Sequence, residues 1–245
     1  MPFPVETLIA APLIALLAYT ILGISGFGSA LVTIPLLVHF LPLTTVVPMI
    51  VVTDFTATLI TGLRFRGDVD ISELKTVVPT MMVGILIGVA LLRRVPANAL
   101  IGILGFAVAA YGIYRLHQPF TLRTISRRWG IAAGLAGGLA GGLFGVGGPI
   151  YVTYMSGRTD DFSRMRATLS AIFTASTGFR LMVFVATGLI LTPQVWWAVL
   201  LMLPFMYIGL TLGHRLHGRL SGRPLSLFVS LLLIASGLSL LIRAL

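Results

Sequence analysis

Two ionisable side chains lie deep inside apolar stretches, and they define the chemistry this sequence can support. Asp54 sits in MIVVTDFTATL and Arg180 in STGFRLMVF. A charge in hydrocarbon is costly enough that it marks an ion or substrate pathway by default. Arg180 can offer a planar, bidentate guanidinium to a cluster of anionic oxygens. Asp54 can balance that charge or titrate with a coupled proton. The plainer alternative is a permanent ion pair that ties two helices together. Hydroxyls surround both residues, with Thr53, Thr56, Thr58 and Thr61 in one stretch and Thr174, Ser176 and Thr177 in the other. They suit a polar lining, and equally ordinary helix packing in lipid.

A second constellation is backbone chemistry. The stretch Gly134 to Tyr154, GLAGGLAGGLFGVGGPIYVTY, holds eight glycines in twenty-one residues. Each interior Gly costs a helix about 1 kcal/mol relative to Ala, and Pro149 removes an N–H and clashes with the turn before it. The helix is therefore expected to unwind near Gly145 to Pro149. A weaker copy, LGISGFGSALVTIP, lies at Leu22 to Pro35. Unwound backbone at membrane depth is tolerated only where it is buried in protein or lines a polar cavity. Its N–H groups, and the positive end of a half-helix starting there, suit an anion. The expected substrate-binding residues are thus Arg180 with Ser25, Gly26, Gly28, Ser29, Gly145, Gly147, Gly148 and Pro149, and Asp54 is expected to balance charge or couple an ion. Close helix packing through small residues is the competing reading of both breaks.

The elements that must position these groups follow from composition. The 245 residues are 57% hydrophobic and 10% charged, against roughly 25% charged in a soluble domain, so the chain reads as an all-α polytopic membrane protein. No polar interval exceeds about fifteen residues, short of the ~50 a soluble domain needs. The net charge of +10 comes from arginines in short loops beside apolar runs, where they set topology; nucleic acid is not an expected partner. The absence of cysteine excludes disulfides, thiolate metal sites and a cysteine nucleophile. GVGGP does not continue into the Lys-Ser/Thr of a P-loop, and neither HExxH nor GxSxG occurs. No enzyme, metal or cofactor is expected, and active transport would draw on an ion gradient. The N-terminus MPFPVETLIA lacks a basic n-region, so the first apolar run is expected to be retained.

Apolar runs long enough for about 30 Å of hydrocarbon fall at 5–41, 43–63, 76–92, 98–114, 130–155, 167–187, 193–213 and 225–242. If all eight cross once, the flanking Lys and Arg divide eight against eight, which gives no topological bias. If the first and fifth runs instead return to their starting side, the division is thirteen against three, as the positive-inside rule requires. That arrangement puts both termini outside and the loops 64–75, 115–128, 158–166 and 215–223 in the cytoplasm. Each half then holds a broken or re-entrant segment plus three crossings, so the second half is inverted. Pro79, Gly84, Gly88, Arg94, Leu100 and Gly112 recur 125 residues on as Pro204, Gly209, Gly213, Arg219, Leu225 and Gly237. Gly23, Gly26 and Gly28 recur 119 residues on as Gly142, Gly145 and Gly147. The expected organisation is one integral membrane domain, 1–245, made of a repeat at 1–115 and a repeat at 129–245. Asp54 and Phe55 map onto Phe179 and Arg180, so the two charges are expected to meet near the pseudo-symmetry axis.

Other residues carry less. His39 could relay protons near neutral pH. His214 and His217 could share a helical face, yet no carboxylate accompanies them. Trp196 and Trp197 fit an aromatic belt. RGDVDISELK (66–75) reads as a solvated loop, and Asp160, Asp161 or Ser163 as a helix cap.

The paired segments SGFGSALVTIP (Ser25 to Pro35) and GGLFGVGGPIYV (Gly141 to Val152), each opening one half of a small duplicated membrane chain, resemble the sulfite exporter TauE/SafE family of membrane transporters. Ser29 stands where a further Gly is usual in the first motif. The resemblance implies movement of a small sulfur-containing or related organic anion. Together these readings point to a secondary transporter in the cytoplasmic membrane, moving a small anion by alternating access under an ion gradient. Its partners would be that anion and membrane lipid, with a homodimer left open. A membrane-embedded assembly protein and a passive anion channel are the alternatives.

Overall fold

A chain in lipid has to satisfy its backbone hydrogen bonds internally, and helices do so here. The computed structural model describes residues 4–62, 69–117, 125–220 and 223–244. The side chains of 162, 217–220 and 223–226, His217 among them, lie outside the described residues, as does part of each of the loops 64–75, 115–128 and 215–223. The helices are α1 (Val5–Ser25), α2 (Ser29–Leu37), α3 (Leu43–Gly62), α4 (Ile71–Arg94), α5 (Ala97–His117), α6 (Trp129–Phe144), α7 (Gly148–Ser156), α8 (Phe162–Ala186), α9 (Pro193–Leu220) and α10 (Arg223–Ala244). No strand occurs among the described residues. Seven helices, α1, α3, α4, α5, α8, α9 and α10, are long and apolar enough to cross a membrane.

The two glycine-rich runs each become a pair of helices of unequal length. Helices α2 and α7 have nine residues each, roughly 13 Å, less than half of the ~30 Å hydrocarbon core. Each packs against the longer helix before it. The breaks are Gly26 to Gly28 and Gly145 to Gly147, narrower than expected. Gly148 and Pro149, expected to be unwound, instead open α7. Proline suits a first turn, because that position has no intrahelical use for an N–H and its fixed φ already matches the helix. It starts a helix here rather than breaking one.

Left-handed backbone explains the break glycines: φ is 82° at Gly26, 101° at Gly28 and 71° at Gly145. A residue with a Cβ pays about 1–2 kcal/mol for that conformation.

Packing groups the chain into two compact units. The first holds Met1–Ile50, Arg94–Pro119 and Pro193–Leu245, the second Val51–Arg93 and Phe120–Thr192. Within the second, α4 and α6 run parallel with their backbones touching. A Cβ on Gly84 would lie 2.3 Å from the Leu135 carbonyl oxygen, and one on Gly88 2.5 Å from that of Leu139. Within the first, α9 lies parallel on α1 in the same way: a Cβ on Gly209 would lie 2.6 Å from Leu16 O, and one on Gly213 2.3 Å from Thr20 O. The glycines of the two sets are displaced by 125 residues and their carbonyl partners by 119, the two displacements present in the sequence. Also in the first unit, α5 and α10 run antiparallel. Gly105 faces Gly237 and Leu241, while Gly112 faces Ser230 and Ile234.

Asp161 caps α8, its Oδ1 accepting the N–H groups of Ser163 at 2.9 Å and Arg164 at 3.1 Å. Trp196 and Trp197, both exposed, stand near the start of α9.

Backbone contact makes helical glycines unequal. Gly84→Ala drives a methyl into a carbonyl, and overpacking of that kind costs about 1–3 kcal/mol. Gly102 on α5 meets only the Ala244 methyl at 3.5 Å, so Gly102→Ala should be neutral or stabilising by up to about 1 kcal/mol. Thermal unfolding of the two purified variants in detergent checks the contrast.

Candidate functional site

In the second unit, α8 carries Arg180 and α3 carries Asp54, both almost inaccessible at 2% and 6% exposure. One guanidinium nitrogen, Nη1, donates to the Gly141 carbonyl at 2.9 Å, and Nη2 lies 3.7 Å from Asp54 Oδ2. The two charges approach each other, as expected from the sequence. Gly141 O also accepts the N–H of Gly145 at 2.8 Å, and Val146 N–H reaches Ala140 O at 3.3 Å. Arg180 therefore sits on the last turn of α6, where the helix dipole is negative, and shares the Gly141 carbonyl with the Gly145 N–H. That is how the fold tolerates a buried guanidinium, and it anchors Arg180 beside the second break.

The sequence-predicted residues separate by unit. Gly145, Gly147, Gly148, Pro149, Arg180 and Asp54 belong to the second unit, whereas Ser25, Gly26, Gly28 and Ser29 belong to the first. The exposed Ser25 turns its hydroxyl onto its own turn, 2.7 Å from Ile21 O and 2.6 Å from Phe27 O. Ser29 is buried. Phe27 packs under the Arg115 guanidinium, 5.7 Å from ring centroid to Cζ. Arg115 stands two residues from the end of α5, so the first break lies level with a helix end rather than mid-helix. The threonine series bonds largely to its own helices: Thr56, Thr61 and Thr174 donate to the carbonyls four residues back. Thr58 and Thr177 also pair across α3 and α8 at 3.1 Å.

His39 is placed by structure rather than by a pathway. Its Nδ1 lies 2.9 Å from Pro35 O and its Nε2 2.8 Å from Ser239 Oγ, and Arg243 donates to Val38 O. Together they hold the end of α2. No cluster of metal-ligating side chains occurs among the described residues.

Two groups escaped the sequence reading. Glu73, expected in a solvated loop, lies in the first turn of α4 at 2% exposure. Arg158 grips its Oε1 from Nε at 2.9 Å and Nη2 at 2.7 Å, while the Tyr154 hydroxyl donates to Oε2. Glu73 falls on the i, i+4 stripe of Val77, Met81 and Ile85, which was the available signal. Tyr151 on α7 is the other, with its ring in a slot between two glycines. A Cβ on Gly137 would lie 2.4 Å from that ring and one on Gly147 3.1 Å. Phe173 tilts against it at 6.2 Å between centroids.

Asp70 caps α4, its Oδ1 taking the Ser72 hydroxyl at 2.6 Å and the N–H groups of Ser72 and Glu73 at 3.0 and 3.3 Å. The Ser72 hydroxyl bond, more than any other group, holds this carboxyl below its ordinary pKa, with a smaller contribution from Arg164.

The family described as sulfite exporter TauE/SafE matches residues 11–240. The chain belongs to this family. Its members are membrane transporters rather than enzymes, and the TauE/SafE chain is accordingly a multi-pass membrane protein with a transporter role. It is similar to the "Probable inner membrane transporter protein TsaS" of Comamonas testosteroni, 27% identical over 194 residues that cover 78% of this chain and 81% of the relative. No solved structure matches the TauE/SafE chain.

Two stability measurements follow. Glu73→Gln leaves Arg158 without its charge partner and should cost about 3 kcal/mol. Asp70→Ala should cost about 1 kcal/mol near neutral pH. Since the native carboxyl titrates below its unfolded value, that difference is complete above the unfolded pKa and shrinks as pH falls through the native one. Thermal unfolding of wild type and both variants along an acid series reads each effect.

Proposed function

We propose that the chain is a secondary transporter for a small oxyanion or organic anion, working by alternating access in the cytoplasmic membrane under an ion gradient. The observation that carries this reading is Arg180, buried at the last turn of α6 beside the break that restarts the chain as α7. The anion is held by the Arg180 guanidinium and by backbone N–H groups of Gly145, Gly147 and Gly148, with Pro149 shaping the start of α7. A guanidinium and a helix N-terminus both favour oxyanions. Asp54 balances the guanidinium while the site is empty and takes the coupled proton when the anion replaces it.

The parity of the chain supports the re-entrant topology. In the first unit α9 is parallel to α1 and α10 is antiparallel to α5. Helices α9 and α10 are consecutive spans with two residues between them and so run in opposite directions. Helices α1 and α5 then run in the same direction. With α3 and α4 each crossing once, this parity favours a return to the starting side between α1 and α3, the interval that holds α2. The reciprocal contacts of α5 and α10, with Gly112 on Ser230 and Ile234 and Gly237 on Gly105 and Ala109, are displaced by 125 residues throughout. Equivalent spans that lie antiparallel support two inverted repeats. The arginine distribution supports both termini lying outside.

Flux in proteoliposomes, offering sulfite, sulfate, sulfoacetate and a carboxylate with and without a pH gradient, tests the proposal. Wild type should move one of them saturably, and Arg180→Ala should lower that flux by roughly 100-fold or more. Because this change strands Asp54, the neutral pair Arg180→Gln with Asp54→Asn serves as a folding control. Asp54→Asn alone should leave flux that no longer responds to the gradient. Non-saturable flux indifferent to the gradient would replace the transporter with a channel, and a stoichiometric protein partner without flux would indicate an assembly role.

A further inference from the structure

The Tyr151 hydroxyl has no structural use in its present position. Tyr151 is 1% exposed, and its hydroxyl lies beside Ser176 and within electrostatic reach of Arg180. No hydrogen bond of ordinary length and angle closes on that hydroxyl. Phenylalanine would fill the same slot between Gly137 and Gly147 without burying an unsatisfied donor, and leaving such a donor unmade is unfavourable. The slot itself is built to high tolerance. Gly137 and Gly147 both lack the Cβ that would collide with the ring, and Phe173 closes it from α8. The ring is thus fixed, and its hydroxyl is aimed at the face of α8 that bears Ser176 and, one turn later, Arg180.

We propose that Tyr151 is a specificity-determining residue of the anion site, its hydroxyl donating to an anion oxygen that Arg180 and Ser176 also hold. This rests on the reading of Arg180 as the substrate-binding cation. The three groups differ in kind: a charged fork, a phenol on a rigid ring and a rotatable aliphatic hydroxyl. A phenol and a serine converging with a guanidinium recognise an oxyanion with several oxygens, whereas a halide offers one centre and gains little from oriented donors. The location on α7 also connects binding to the break, because the residue that senses the anion belongs to the half-helix that begins there.

Tyr151→Phe removes one oxygen and keeps the ring. In proteoliposomes its KM for the transported oxyanion should rise about 10- to 100-fold, the range for losing one hydrogen bond to a charged group. Ser176→Ala should shift KM in the same direction by less. The thermal stability of substrate-free Tyr151→Phe should equal or exceed that of wild type, since an unsatisfied buried donor has been removed, and a purely structural tyrosine would not give that combination. An unchanged KM in Tyr151→Phe, with wild type transporting and Arg180→Ala inactive, overturns this proposal and leaves the transporter reading standing. Loss of stability in step with the loss of affinity overturns it as well. A folded wild-type chain that neither moves nor binds any of the four anions overturns both.

Discussion

A buried guanidinium in a chain made for lipid has to be surrounded by oxygen, and the second unit is arranged to supply it. Arg180 is met by the Asp54 carboxylate and by the Gly141 carbonyl. The second partner lies in the last turn of α6, at the negative end of that helix. A helix that continued through Gly145 would make the same Gly145 bond to that carbonyl but would place no negative end beside the guanidinium. Ending α6 there obliges the chain to restart as α7, which sets the glycines of the break beside the charge. Ion pair, helix end and half-helix are therefore one solution to a single electrostatic requirement.

Glycine meets two different needs in this chain. At Gly26, Gly28 and Gly145 it provides left-handed backbone. Along α4, α6 and α9 it lets backbones touch, at Gly84, Gly88, Gly138, Gly142, Gly209 and Gly213. In hydrocarbon, helix association gains nothing from excluding water and relies on close van der Waals contact. The α4/α6 and α1/α9 pairs are the tight seams of their units, and the half-helices are carried on them.

Nine-residue helices are too short to persist alone, so α2 and α7 are pinned at their far ends. His39 and Arg243 hold the end of α2, while Glu73 with Arg158 and Tyr154 holds the end of α7. His39 and Arg158 are displaced by 119 residues, the spacing of the break glycines. Different side chains thus perform the same mechanical task, which leaves the opposite end of each half-helix, at the break, as the end shaped by glycine.

Hydropathy and charge alone specified much of this protein. Eight apolar runs correspond to the eight segments that became helices or helix pairs, because a lipid-facing backbone has few other solutions. The pairing of Asp54 with Arg180 was legible from internal displacement, and a cap at Asp160, Asp161 or Ser163 from their place before α8, of which the structure selects Asp161. What the tertiary structure decided were matters of contact between residues distant in sequence. Pro149 begins a helix because Gly145 has already ended the one before it. Glu73 is buried because α4 starts within a polar-looking run and α7 delivers Arg158 and Tyr154 to it. Tyr151 gained its slot because Gly137 and Gly147, ten residues apart, face the same ring. Local pattern encodes which segments are helical, but which side chains share a buried volume depends on how helices pack, and no single window of sequence contains that.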